Sequence, residues 1–396
     1  MKNFIFISPN FPENYWRFCR ELKYNGFNVL GIGDSEYYNL PNELKASLTE
    51  YYKVSSLGNY DEVHRAVAFF TFRYGKIDWL ESNNEYWLER DARLRDDFNI
   101  TSGFKSKDMP KVKYKSKMKK FYQKVGIKTA RYCMVTSLAA CEKFVAEAGY
   151  PVIVKPDNGV GANATYKLKN REELKDFLKN KPPVKYIMEE FIDAEVNSYD
   201  AIVNGDGEPI FETGNVTPQS IMDIVNENDN SIFYIQKELP DDVRDAGRRA
   251  LKAFKVKNRF VHFEFFRLNR DQNIGRKGEV VALEVNMRPS GGISPDMMNY
   301  ANSIDVYKVW ADMIAFGKTD LVCGEKYYCA YAGRRDGKYF KFSEQDVVDK
   351  FGPNLKIISR VPDVLSGAMG NTMFIAVFDT KERMDDFYYE MCTTHE

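Results

Sequence analysis

The chain has 396 residues with 57 basic and 57 acidic side chains, enough for two or three domains and too balanced for a general field toward nucleic acid or an anionic membrane. No stretch approaches the roughly 20 apolar residues of a membrane helix, and three histidines argue against a histidine zinc site or a Ser-His-Asp triad. Six cysteines, Cys19, Cys133, Cys141, Cys323, Cys329 and Cys392, form no C-x-x-C pair and read as reduced packing residues, so a cytoplasmic protein is expected.

In chain order, residues 4–8 read as a buried strand, too short in its apolar run for a signal peptide, 13–24 as a helix ended by Gly26, and 27–32 as a second, parallel strand. Gly31-Ile32-Gly33 lacks the third glycine of a dinucleotide fingerprint, because Glu36 stands there, and reads as a turn. Helices over 61–74 and 85–97 around a short strand at 78–81 complete a Rossmann-like domain without a nucleotide signature of its own. Residues 102–113, polar with Gly103 and Pro110, are the linker candidate. Within 105–124 the chain is strongly basic, which suits either a solvated helix face or one turned toward phosphates. A helix over 114–125, a strand over 130–135, a helix from the Ser137 cap to 148 and a buried strand over 151–155 follow. Residues 185–191 and 198–203 read as strands, 241–254 as a helix, and the run from 326 onward as a small α/β appendage.

Three segments carry chemistry. The buried strand over 151–155 ends on Lys155, and Pro156 then leads into Asp157-Asn158-Gly159-Val160-Gly161-Ala162-Asn163. A lysine at a strand end supplies a point charge for phosphate, and glycines let backbone N–H groups approach its oxygens; the plain alternative is a snorkelling lysine before a turn. No Walker A loop occurs. Ile187-Met188-Glu189-Glu190-Phe191-Ile192 is an apolar strand turning acidic, able to offer backbone groups to an adenine edge or to be an ordinary edge strand.

The third segment is the most informative. Val281, Leu283, Val285 and Met287 alternate with Ala282, Glu284, Asn286 and Arg288, so a carboxylate, an amide oxygen and a fixed cation are expected on one strand face. Val261, Phe263 and Phe265 alternate in the same way with His262 and Glu264. If the two strands pair through 267–279, Glu264 and Glu284 share a face. Two carboxylates and an amide oxygen suit Mg2+ holding nucleotide phosphates, not zinc.

The order of these pieces resembles the ATP-grasp superfamily, and within it the carboxylate–amine ligases of the L-amino-acid ligase and carnosine synthase type. That resemblance implies an α/β (α+β) ATP-grasp fold: a Rossmann-like domain over 1–110, a two-lobed ATP-grasp domain over 111–320 with its small lobe about 111–187 and large lobe about 188–320, and a C-terminal subdomain over 321–396. It implies ATP and one or two Mg2+, with Mn2+ an allowed substitute. Lys115 and Lys155 would hold phosphates, with Lys117 competing for the first role. Gly159 and Gly161 would form the phosphate flap. The Glu189-Glu190-Phe191-Ile192 segment would read adenine through Glu190 C=O and Ile192 N–H. Glu195 is the candidate for ribose, although Val196 occupies the family's usual place. Glu264, Glu284 and Asn286 would bind metal, and Arg288 would stabilise the transferred phosphoryl group.

The implied reaction joins a small carboxylate to an amine, both expected to be amino acids, through an acyl-phosphate, with no nucleic-acid or membrane partner. The alternatives are a carboxylase-like or purine-pathway ligase and a non-catalytic ATP-binding module. Residues 215–219, 290–294, 333–336 and 367–371 are weak candidates for substrate loops. Phe340, Phe342, Tyr388 and Tyr389 are expected to be exposed, as a homodimer interface would need.

Overall fold

A computed structural model describes residues 1–159, 164–218 and 229–395. The first sheet contains β1 (Asn3–Ile7), β2 (Asn28–Gly33), β3 (Glu50–Lys53) and β4 (Trp79–Glu81), all parallel in the order β3-β2-β1-β4. Continuous apolar residues in β1 serve both faces: Phe4 and Phe6 enter one core, and Ile5 and Ile7 another beneath the helix Tyr60–Tyr74. Gly31 and Gly33 lie inside β2 and not in a turn. A Cβ on Gly31 would meet the Leu48 side chain at 2.8 Å, and one on Gly33 the Tyr51 hydroxyl at 2.6 Å, so either substitution would make a neighbouring side chain move.

The expected linker is ordered. A 3-10 turn, Ser106–Asp108, runs into a helix, Met109–Lys113, whose Met109 and Val112 pack with Phe104, Met118 and Tyr122 in the central core. Polar composition suggested a loop, but one-turn spacing of the two apolar residues builds a packed element.

The second sheet is antiparallel, in the order β5-β8-β6-β7, with β5 (Tyr132–Met134), β6 (Val152–Pro156), β7 (Tyr166–Leu168) and β8 (Tyr186–Glu190). The helices Leu138–Ala148 and Arg171–Asn180 bury Cys141, Phe144, Leu174 and Phe177 against it.

Among the described residues the third sheet has nine strands: β9 (Ala194–Val203), β10 (Pro209–Thr213), β11 (Asn215–Thr217), β12 (Ser231–Ile235), β13 (Arg259–Leu268), β14 (Val280–Asn286), β15 (Tyr328–Arg334), β16 (Leu355–Arg360) and β17 (Thr372–Phe378). Its path is β14-β13-β9-β11-β12-β15-β17-β16, with β10 beside β9. The C-terminal strands therefore extend this sheet through the β12–β15 pairing and are not an appendage to it. One face packs on the helices Lys115–Lys124 and Asp241–Phe254. The other packs on the helices Ser294–Asn302 and Val306–Phe316, in a core continuous with Phe4, Phe6 and Phe18 of the first sheet.

A bulge corrects the expected alternation in β14. Glu264 pairs with Glu284 but Phe265 pairs with Ala282, which leaves Leu283 as the extra residue. The phase flips there, so Ala282 joins Val285 and Met287 in one core while Val281 turns to the opposite face with Ala130, Ile192 and Leu268. The aromatic expectation also changes: Tyr388 is buried, donating to Phe233 O at 2.7 Å, and Phe340 sits half-buried against the Arg334 guanidinium. Tyr389 is exposed. Gly333 lies in β15 against Met369 O, where a Cβ has no room, so this position serves backbone packing. Among the described residues no helix is long and apolar enough to cross a membrane.

Candidate active site

Three adjacent strands of the third sheet present polar residues in register. Ser198, Glu264 and Glu284 form one rung of β9, β13 and β14, and Asp200, His262 and Asn286 form the next. Directly opposed residues point to the same face about 5 Å apart, so Glu264 and Glu284 stand side by side. Past the bulge, Phe266, Leu268 and Val281 continue this face with Ala130 and Ile192 as an apolar patch. One surface thus runs from apolar to acidic.

Cations approach from other elements. Lys115 begins the helix Lys115–Lys124, and its Nζ donates to Glu284 Oε1 at 3.2 Å and to Gly159 O at 3.3 Å. Lys117 is exposed, so Lys115 is the lysine turned to this face. Lys155, at the end of β6, lies 2.8 Å from Glu189, whose other oxygen takes Lys119 at 2.7 Å. Burial would raise the Glu189 carboxyl, but the two lysines outweigh it and bring it down to about 2. Arg288 Nη2 donates to Glu85 Oε2 at 2.8 Å, and Glu85 also faces Lys113 at 3.4 Å. Three lysines of the basic run therefore meet acids inside the molecule.

The electrostatics single out Glu284. Burial pushes its carboxyl above the usual range, and Glu85 and Glu264 add to this against Lys115. Burial would raise Glu264 too, but His262 and Arg288 hold it below. Asn286 is buried, and its Oδ1 has no hydrogen-bond donor. Two neighbouring carboxylates, one of them short of positive charge, and an orphaned amide oxygen fit a hard divalent cation with oxygen ligands. Its third donor is an amide; among the described residues no metal-holding group of three or more His, Cys, Asp or Glu occurs.

Other expected residues fall differently. Glu195 pairs with Arg267 in register and shares the sheet face opposite Glu264; its carboxylate takes Asn197 Nδ2 at 3.0 Å. Even-numbered residues of β9 face the site here, so Ala194 and Val196 stand there and Glu195 is not brought in. The Glu190 carboxylate takes the Arg131 backbone N–H at 2.7 Å and Nε at 2.8 Å, and Phe191 lies under Lys167 at 4.0 Å. Gly161, with residues 160–163 of the flap, and residue 219 lie outside the described residues.

Sequence reasoning passed over Lys119, Lys113, Glu85 and Asp200, and assigned His262 no role. Lys119 had a signal, because it lies one helical turn after Lys115. Glu85 had none, since it comes from the turn after β4, across an interface.

A family model described as an ATP-grasp domain matches residues 112–253. Over those residues the chain is similar to that family. It is 29% identical over 182 residues to D-alanine–D-alanine ligase B of Clostridium perfringens, an alignment that covers 44% of this chain and only 57% of that relative's length. The likeness in fold extends further. The L-amino acid ligase from Bacillus licheniformis superposes with a TM-score of 0.71 at 15% identity, covering 99% of this chain and 97% of the other. The N5-carboxyaminoimidazole synthetase from Staphylococcus aureus, solved with ADP, gives 0.70 at 14% identity, over 98% and 97%.

Proposed function

We propose that the protein is an ATP-dependent carboxylate–amine ligase that forms an amide through an acyl-phosphate, releasing ADP and phosphate. The observation that carries this reading is the Glu264–Glu284 rung beside the orphaned Asn286 Oδ1, flanked by Lys115 and Arg288. The apolar patch around Ile192, Leu268 and Val281 would take adenine, with Glu190 C=O and Ile192 N–H reading its edge. Lys115 and Lys155 would hold phosphates, with Gly159 opening the flap over them.

Glu264, Glu284 and Asn286 would hold Mg2+, which when bound neutralises phosphate charge and orients the γ-phosphoryl group. Arg288, a permanent cation mostly removed from water, would face the charge that develops as the substrate carboxylate attacks. The reaction then needs no side-chain nucleophile: the carboxylate displaces ADP, and the amine displaces phosphate from the acyl-phosphate. Amino acids are the substrates that the likeness to the two amino-acid ligases favours.

The test is phosphate release from Mg-ATP by the purified protein, alone and with pooled amino acids, with Glu284→Gln as control. Release that depends on the pool and vanishes in the variant supports the ligase. Release that depends instead on bicarbonate or a ribonucleotide points to a carboxylase-like or purine-pathway reaction. Nucleotide binding without release under any of these conditions leaves a nucleotide-binding module.

A further inference from the structure

His262 lies between two carboxylates that only the folded sheet brings together. Its Nδ1 is 2.8 Å from Asp200 Oδ1 on β9, and its Nε2 is 3.1 Å from Glu264 Oε1 on its own strand. The ring and Asp200 are both buried. Asp200 is fixed in turn: its other oxygen pairs with Ser198 Oγ, which accepts the Asn215 backbone N–H at 2.8 Å. Each ring nitrogen lies within hydrogen-bond distance of one carboxylate oxygen, so the ring cannot turn without losing a partner.

We infer that the Asp200–His262 pair is a positioning device for the divalent cation, holding Glu264 so that Oε1 is engaged and Oε2 is left to face Glu284 and Asn286. The inference rests on the metal assignment proposed above. Groups that ligate a metal depend on outer partners for orientation, and loss of such a partner typically weakens metal binding about 10- to 100-fold. His262 occupies that position here, on the same rung as Asn286 and one strand step from Glu264. Nothing else in the described structure hydrogen-bonds the Glu264 carboxylate.

The experiment is titration of Mn2+, followed by electron paramagnetic resonance, into the full-length protein saturated with ADP, comparing the wild type with His262→Gln and Asp200→Asn. Near-UV circular dichroism and the melting midpoint are recorded for each. We expect His262→Gln to weaken Mn2+ binding about 10- to 100-fold, and Asp200→Asn to weaken it less, with native near-UV spectra. Wild-type affinity in a folded His262→Gln protein overturns the positioning role. If that variant does not fold, Asp200→Asn decides: wild-type affinity there overturns the role, as does loss of the native spectrum in both variants, which assigns the pair to folding. If the wild type itself retains no Mn2+ with ADP, the metal assignment fails before the positioning role is reached.

Discussion

Two glutamates flank β13, and their surroundings push them in opposite directions. Glu81, at the end of β4, has one oxygen against Arg95 at 2.9 Å and against Arg259, and the other takes the backbone N–H groups of Ser82 and Asn83 at 3.2 and 3.4 Å. Burial would raise its carboxyl, but the two guanidiniums outweigh that and hold it low. Glu284, half-buried on the strand beside β13, takes Lys115, stands beside Glu264, and is held high. The first cluster is closed by protein cations and joins the first sheet to the third. The second is short of positive charge beside an acceptor with no donor, an arrangement that costs stability unless something from outside completes it.

The comparison breaks most visibly at Glu81. Glu81→Gln leaves Arg95 and Arg259 buried without their counter-charge, and should lower unfolding free energy by about 3–5 kcal/mol in urea denaturation; a loss under about 1 kcal/mol would show that the cluster is not what joins the sheets. Asn286→Ala should behave in the reverse way. Its Oδ1 has no donor to lose, so stability should stay within about 1 kcal/mol, while substrate-dependent phosphate release drops at least about 100-fold. Undiminished release would remove Asn286 from the site.

A third test uses pH. Asp91, buried beside Glu81 and bonded to Ser82 Oγ at 2.6 Å, has its carboxyl raised to about 6 by burial and by Glu81. The folded protein keeps this proton up to about pH 6, whereas the unfolded chain releases it near 3.8. Between these values the native state binds more protons, so this group's contribution to stability falls as pH rises through the window, by about 3 kcal/mol in all. Urea midpoints measured from pH 4 to 7 should show that decline in the wild type and lack it in Asp91→Asn. The smallest effect is expected at Tyr122, whose hydroxyl donates to Glu284 O at 3.1 Å and ties the helix Lys115–Lys124 to β14. Tyr122→Phe should cost about 1 kcal/mol, with little change in phosphate release if the contact only anchors the helix.

Much of this arrangement was legible in the chain because it depends on local period. Alternation in 261–266 put Glu264 opposite Phe263 and Phe265 before any pairing was known, and the strand–lysine–glycine order marked Lys155 and Gly159. The errors have local causes too. Leu283 is apolar and fits an alternating pattern, yet as the bulged residue it reverses the phase behind it, which no count of apolar positions reveals. Residues 102–113 looked like a linker because polar side chains outnumber the two apolar residues that anchor their helix. Glu195 is a single step out of phase, which on a strand is the difference between two faces.

The sequence by itself determined many of the elements, the shared face of Glu264, Glu284 and Asn286, and the kind of ion such oxygens suit, because strand and helix periods follow from backbone geometry alone. Only the tertiary structure decided which charges meet. Lys115 reaches Glu284, Glu189 takes both Lys119 and Lys155, Glu85 takes Arg288, and Asp200 meets Glu264 through His262. Two of these pairs, Lys115 with Glu284 and Glu85 with Arg288, are separated by more than a hundred residues, and their electrostatic coupling becomes strong only after packing has excluded the water that screens them.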